Sequence, residues 1–433
     1  MKVSKSNGLF NDYSQQSSDW TWLCFSLSIF VLPLFPTLGT VGLLIIIIKS
    51  GQDNLRKIIA NRHNQALAIL SILFIVSSAL AEQPKDAWLG LANFLPFFLL
   101  FAALKPLIRH PVQLKQLSWL LILPSLPIVV LGFGQLFAGW YTLPLVKSIL
   151  GWKLVAQGVP TGRMSAVFNY TNFLAIYLAI AFSLALGLWL DTWQAWRKNP
   201  ASKKSQILSL LTIILLADIS GLILTSSRNA WGLAAISFMA YVAYMGWRWL
   251  IYGVSSAATA ILWASFAPNL GGTQLRKVVP SFFWARLSDR DYQRPVETLR
   301  ITLWEFCWDL IKQRPLFGWG LRNFTPLYEA KTNFWFGHPH NLFLMLGAET
   351  GIIAVLLIIC IVGSIMAQGV KLLLDWSTDD SRLIFFSYLV TFTCCILFNL
   401  FDVTIFDLRV NVIGWVLLSA ISGVITAKQS AKA

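Results

Sequence analysis

The sequence predicts an all-α membrane protein of about twelve transmembrane helices with one long extracytoplasmic loop. Three observations carry that prediction. The chain is 56% hydrophobic and only 12% charged, with a mean hydropathy of +0.65, outside the balance of soluble globular domains. Its apolar runs repeatedly reach the roughly 20 residues needed to cross a bilayer core. Lys and Arg are concentrated in alternate connections between those runs. The runs must be helices, because a lipid-exposed backbone has to satisfy its own hydrogen bonds.

The runs fall at 20–35, 37–49, 64–82, 86–107, 117–139, 167–190, 207–225, 229–247, 249–268, 340–367, 383–401 and 408–426. Pro36 separates the first two, which read as a single broken element or as two short ones. The pattern divides the chain into a nine-span region (1–268), a long loop (269–339) and a three-span region (340–433). The N-terminus is polar through Trp20 with no small-residue cleavage site, so no cleavable signal peptide is expected. The five cysteines show no metal-binding spacing and imply no disulfide framework. No internal repeat is visible.

A net charge of +15 raises nucleic acid as a partner. The cations are instead scattered through short loops between apolar runs, the distribution that membrane topology and anionic lipid headgroups produce. With the N-terminus cytoplasmic, 18 Lys and Arg fall in cytoplasmic segments and 6 in the short loops opposite. The other 10 lie in the long loop, which is outside the rule because long loops translocate largely regardless of charge. Both termini are then cytoplasmic. The long loop, Arg163, Arg228 and the stretch "HPHN" (338–341) face the other side.

Within the long loop, "RPVETLRITLWEFCWDLIKQRP" predicts a helix opening at Pro295 and closing before Pro315. Its apolar faces should lie on the bilayer surface or on the outer ends of the spans. "PLFGWG" then turns the chain back, with Gly318 and Gly320 permitting a tight path.

Three arginines are candidates for an outer site: Arg228 in the tight hairpin "LTSSRNAW", Arg163 in "PTGRMSAVFNY" and Arg300 on the loop helix. Guanidinium groups bind phosphate oxygens bidentately and keep their charge. Three of them converging without nearby acids would call for an anionic ligand, and a diphosphate fits. His340 and His338 stand at the lip of a span, with Pro339 expected to hold them in an extended turn. A neutral imidazole there can take a proton from a hydroxyl, help typically worth about 10²–10⁴ in rate. His340, adjoining the helix start, is the better placed. Asp218 lies within a span, where a carboxylate costs several kcal/mol and faces the bundle interior. It reads either as a buried hydrogen-bond partner or as part of an ion path. Glu349 is expected to be a buried structural acid, and Asp402 and Asp407, flanking the last outer loop, to be solvated, with facing the site as the lesser alternative. Asp289 and Asp291 have the spacing of a metal–diphosphate chelate, but Arg286, Arg290 and Arg294 surround them. Two histidines two residues apart make a poor zinc site without a third ligand. No metal and no cofactor are therefore expected.

"TSSRNAW", "GWGLRNF" and "HPHNLFLMLGAETGI", preceded by "GRMSAVFNYTNFLAIYLA", resemble the O-antigen ligase/polymerase superfamily in order and sidedness, over roughly residues 155–410. The resemblance implies a GT-C-like glycosyltransferase of the bacterial inner membrane. Such an enzyme moves a glycan from undecaprenyl diphosphate to an acceptor hydroxyl, without a metal, in cell-envelope polysaccharide (lipopolysaccharide) synthesis. By motif, Arg228 and Arg300 match the family's diphosphate-binding arginines, Arg163 matches an earlier one, and His340 matches the base. The family includes O-antigen ligases, polymerases and a cyanobacterial branch linked to bicarbonate transport, so an anion transporter working through Asp218 is the rival reading.

Overall fold

The computed structural model describes residues 19–288, 295–376 and 381–431, and among these all regular structure is helical. The chain is an all-α membrane protein. Helices α1 (Asp19–Val31), α2 (Pro36–Ala60) and α3 (Arg62–Ala79) open it, followed by α4 (Pro84–Gly90), α5 (Leu95–Leu104), α6 (Pro111–Ile122), α7 (Ser125–Phe137) and α8 (Pro144–Leu150). Proline sits in the first turn of α2, α4, α5, α6 and α8, where a missing N–H costs nothing. Then come α9 (Thr171–Lys198), α10 (Ser202–Thr225), α11 (Arg228–Met245) and α12 (Arg248–Phe266).

α9 is the hub. Most of its length is buried, and it packs against α6, α10, α11 and α19. Its side chains are apolar around the whole circumference between Leu174 and Leu190, the pattern of a helix buried on all sides. The span of α6 and α7 is interrupted at Pro124, and the Leu121 carbonyl near the break accepts a hydrogen bond from Tyr177 Oη at 3.0 Å.

Helices occupy all twelve predicted stretches. Eight are long and apolar enough to cross a bilayer, and α2 with α3, bent by 94°, would make a ninth. α1 and α11 are shorter or less apolar. The connections group at two ends of the bundle. Lys49, Lys57, Lys105 and Arg109 line one cleft together with Trp20 and Ser430, so segments that charge counting puts on one side do share an end. The opposite end, here the histidine end, carries the rest of the chain's distinctive polar groups.

At the histidine end lie α13 (Gly272–Leu275), α14 (Ser281–Ser288), α15 (Arg300–Gln313) and α16 (Phe324–Thr332). The loop helix starts at Arg300 rather than at Pro295, because Leu299 is extended (ψ 135°) and a short 3-10 turn (Val296–Thr298) precedes it. Leu303, Phe306, Cys307, Leu310 and Ile311 of α15 bury one face with Phe324, Tyr328 and Ala348. The helix thus rests on the histidine end of the spans.

The tenth span is not continuous. α17 (Leu342–Thr350) and α18 (Ile352–Leu374) are separated by Gly351 at φ 83°, ψ 165°, a conformation essentially confined to glycine. The returning "PLFGWG" turn occupies the notch: Gly320 N–H donates to the Glu349 carbonyl at 2.8 Å, Trp319 N–H to that of Ala348 at 3.0 Å, and Ile352 N–H to that of Pro315 at 2.8 Å. Glu349 is buried and structural; its carboxylate accepts from Phe324 N–H and its carbonyl from Ser77 Oγ. It lies at the break in the span rather than deep within one helix. α19 (Arg382–Asn399) and α20 (Leu408–Ser430) complete the bundle.

A Cβ at Gly351 would lie 2.1 Å from the Leu316 carbonyl oxygen. Gly351→Ala should therefore lower both the yield of monodisperse protein and its apparent unfolding temperature in detergent, whereas Gly363→Ala, where a Cβ meets open space, should leave both unchanged. Equal behaviour of the two variants would show that the notch is not rigid.

Candidate functional site

The site is built around one buried carboxylate. Asp402, in the connection between α19 and α20, is only 3% exposed. Its Oδ1 accepts from Val403 N–H at 2.9 Å and from His340 Nδ1 at 3.1 Å, and its Oδ2 accepts a short bond from Asn172 Nδ2 at the start of α9. His338 Nε2 lies 3.8 Å from the same Oδ1. Burial pushes the Asp402 carboxyl up, but the His340 hydrogen bond, the two imidazoles and the Val403 N–H outweigh it and hold it below the usual carboxylate range. The sequence reading put Asp402 and Asp407 in water. Both are instead buried, and Asp407 caps α20 by accepting from Arg409 and Val410 N–H. The chain turns too sharply between the two last spans to leave either acid in solvent.

The "HPHN" segment is shaped to meet that carboxylate. His340 has φ +54°, so the turn is left-handed rather than extended. Histidine is among the non-glycine residues that tolerate that region. Its backbone N–H donates to His338 Nδ1 at 3.2 Å, and the two rings meet edge to face with centroids 4.5 Å apart. Asn341 then caps α17 by accepting from Leu344 N–H. About a fifth of each imidazole remains exposed. His338 is held down to about pH 4 for protonation, by burial first, with Asp402 pulling upward and His340 and Arg300 pushing downward. It is a neutral ring under ordinary conditions.

Arginines reach this cluster from separate stretches of chain. Arg163 Nη2 donates to Asn172 Oδ1 at 3.2 Å, and its Nε donates to the Thr225 carbonyl at 2.8 Å. A relay Arg163–Asn172–Asp402–His340 therefore runs through the site. Arg300 stands at the first position of α15, close enough to His338 for its charge to act there. One turn on, Trp304 Nε1 donates to the Pro339 carbonyl at 2.9 Å and ties that face of α15 to the histidine turn. Arg228 opens α11 three residues after Thr225, with Nη1 at 3.5 Å from the Leu287 carbonyl. Its neighbour Asn229 donates to the Phe398 carbonyl at the end of α19. Arg163, Arg228, Arg300, His338 and His340 thus all stand at one end of the bundle. Contrary to the sequence expectation an acid belongs to this end, because Asp402 is joined to Arg163 through Asn172.

Asp218 is not part of this group. It is fully buried in α10 beside Ser125 and Tyr177, and neither carboxylate oxygen finds a hydrogen-bond partner among the described residues. Asp289 and Asp291 lie outside the described residues. His338, His340 and Asp402 offer three ligand atoms within 4.8 Å of one another, so the third ligand that histidine spacing alone could not supply is present. In this arrangement His340 is bonded to both of the others: His338 Nδ1 accepts from His340 N–H, which leaves the proton of a neutral ring on Nε2, 3.8 Å from Asp402, rather than a lone pair.

The sequence reading missed Asp402 and Asn172. Asn172 was visible in "FNYTN" as an amide at the mouth of a span that is otherwise apolar for sixteen residues. Asp402 was read as a solvated loop acid, with the site as the lesser alternative, because its partners lie far away in sequence.

Below the cluster, an apolar groove of about 320 Å³ runs between α17, α18, α19 and α20. Leu346, Val362, Phe392 and Trp415 line its length, and Asn399 and Thr404 sit where it approaches Asp402.

Comparison with curated proteins gives no match. Residues 210–359, from within α10 into α18, match the family model described as O-antigen ligase. The match includes Arg228, Arg300, His338 and His340, and Asp402 and Asn172 reach the same site from outside it. Over that stretch the chain is similar to O-antigen ligases, which supports the ligase/polymerase superfamily for this multi-pass all-α membrane protein.

Proposed function

We propose that the protein transfers a glycan from undecaprenyl diphosphate to an acceptor hydroxyl on the extracytoplasmic face of the inner membrane, with both termini cytoplasmic and no metal required. The observation that carries this reading is the hydrogen bond between His340 Nδ1 and buried Asp402 at the arginine-rich end of the bundle. A carboxylate accepts only, so Nδ1 carries the proton and Nε2 presents its lone pair. That is the tautomer a general base needs.

The reaction then follows from the parts. The acceptor hydroxyl gives its proton to His340 Nε2 as its oxygen attacks the anomeric carbon. The bond from that carbon to the diphosphate oxygen breaks, the electron pair leaves with the diphosphate, and attack from the opposite face inverts the centre. Arg228, Arg300 and Arg163 stabilise charge that is fuller on the leaving group in the transition state than in the bound donor. Asp402 holds the imidazole and stabilises the imidazolium. The polyprenyl tail occupies the groove between α17 and α20, whose polar mouth at Asn399 and Thr404 adjoins Asp402. The sidedness rests on the 18 to 6 division of cations and on the gathering of Lys49, Lys57, Lys105 and Arg109 at the far end. A transporter would place its polar groups near mid-depth between repeats. Here the connected polar cluster is at one end.

His340→Ala, compared at equal amounts of folded protein in the membrane, should lose transfer by about 10²–10⁴. The measurement is the surface-polysaccharide ladder, with accumulation of lipid-linked donor, in a deletion strain carrying the variant. A full ladder would remove His340 from the chemistry. Asp402→Asn should lower turnover in the same direction but less, because the imidazole loses its tautomer preference while keeping a partner. Transfer by the purified protein should survive exhaustive treatment with EDTA; loss restored by added Zn²⁺ or Mg²⁺ would overturn the metal-free reading.

Gly414 lines the groove, and a Cβ there meets open space. Gly414→Phe should therefore raise KM for the lipid-linked donor with little change in kcat. An unchanged KM would place the tail elsewhere.

A further inference from the structure

The end of the bundle opposite the histidines holds a larger cavity, of about 840 Å³, that the transfer reaction does not use. Its wall comes from α1, α2, α3, α5 and α20, and includes Lys49, Lys57, Lys105, Arg109, Asn64 and Trp20. Lys49 is paired with Asp53 at 2.9 Å, both being partly exposed. Lys105 is different. It is 7% exposed, no hydrogen bond or ion pair is made by its ammonium among the described residues, and burial alone acts on it, with no carboxylate's charge reaching it. Its stem is buried and its ammonium opens on the cavity, so an anion entering there meets a positive charge that no neighbouring acid among the described residues has neutralised. A second orphan lies on the same wall. Asn64 Nδ2 donates to the Ile58 carbonyl at 2.9 Å, but the buried Asn64 Oδ1 has no donor among the described residues. Among the described residues, then, nothing supplies an anion to Lys105 or a donor hydrogen to Asn64 Oδ1.

We propose that this cavity binds the headgroup of an anionic phospholipid with free hydroxyls, of the phosphatidylglycerol type, its phosphate against Lys105 and a headgroup hydroxyl donating to Asn64 Oδ1. A phosphate ester supplies the missing charge with oxygens that an ammonium binds well. A soluble polyol phosphate shares that chemistry. The lipid is favoured because the cavity is bounded by helices that pass directly into lipid-facing apolar surface: Ile48 on α2 and Leu23 and Leu27 on α1 are all more than half exposed. Basic pockets between helices at a membrane end hold lipid headgroups in this way.

The test uses the purified full-length protein in detergent, with native mass spectrometry and the apparent unfolding temperature as readouts. Dioleoyl phosphatidylglycerol should stay bound through delipidation and raise the unfolding temperature, and the phosphatidylcholine of the same chains should do neither. Lys105→Met should weaken phosphatidylglycerol binding roughly fivefold or more, while being at least as stable as the parent in phosphatidylcholine, since a buried unpaired charge is gone. That second arm separates loss of the ligand from loss of the fold. Phosphatidylethanol, equal in charge but without the hydroxyls, should bind roughly fivefold more weakly than phosphatidylglycerol to the parent and equally to Asn64→Leu. Equal binding of phosphatidylglycerol and phosphatidylcholine, or undiminished binding by Lys105→Met, would overturn the site. Full stabilisation by glycerol 1-phosphate at the same concentration would overturn the lipid as its occupant.

Discussion

A carboxylate at the mouth of a helical bundle, shut off from water, is the constraint on which the rest of the histidine end depends. Taking Asp402 to 3% exposure forfeits hydration worth several kcal/mol, which only hydrogen bonds and opposite charge can replace. The partners come from different parts of the chain: Asn172 from α9, His340 from the turn before α17, Val403 from its own connection. Each is itself fixed. Asn172 is held by Arg163, and the histidine turn by Trp304 of α15. One desolvated charge thus brings four separately folded segments into register, and loss of any partner leaves a buried anion less than satisfied.

The same constraint explains the strained backbone around it. His340 sits at φ +54° and Gly351 at φ 83°, eleven residues apart and at either end of α17. The first aims an imidazole back at Asp402. The second ends a helix early enough for the "PLFGWG" turn to wedge in and carry α15 over the site. A single uninterrupted span from 340 to 367 would have presented neither the arginine on α15 nor the left-handed turn. Backbone strain of this kind costs of order 1–3 kcal/mol per residue and persists where the surroundings over-determine it. Here they do, because Leu316 and Phe317 close on Gly351 while Gly318 packs on Glu349 and Thr350.

Most of the architecture was legible in the sequence because the bilayer leaves so few options. Apolar runs of sufficient length had to be helices, and helices stand at every one of the twelve predicted stretches. The cation pattern put Lys49, Lys57, Lys105 and Arg109 on one side, and these four do share one cleft. What escaped was local. The break at Gly351 could not be seen from hydropathy, since "GAETGI" keeps the run apolar on average and only the positive φ reveals the interruption. The start of α15 at Arg300 was hidden by Pro295, a good first-turn residue that here opens a single 3-10 turn. For the site, the arginines and histidines declared themselves by rarity: four histidines in 433 residues, two of them adjacent to a span. Asp402 did not. Its partners lie 62 and 230 residues away, and no local pattern distinguishes a solvated loop acid from one that a distant helix end will cover.

The two polar ends follow a common logic with different outcomes. A bilayer forces charged groups to the ends of spans and leaves the middle apolar, so a ligand that is part charge and part hydrocarbon must be bound in two places at once. At the histidine end the groove between α17 and α20 is apolar along its length and becomes polar at Asn399 and Thr404, beside Asp402. Charge there is met by groups already engaged with one another, which fixes their geometry before any ligand arrives and spares the reorganisation that would otherwise accompany charge development. At the basic end Lys105 has no such partner among the described residues. A preorganised network suits a ligand that comes, reacts and goes. An orphaned cation suits one that stays, since the site is stable only while something fills it.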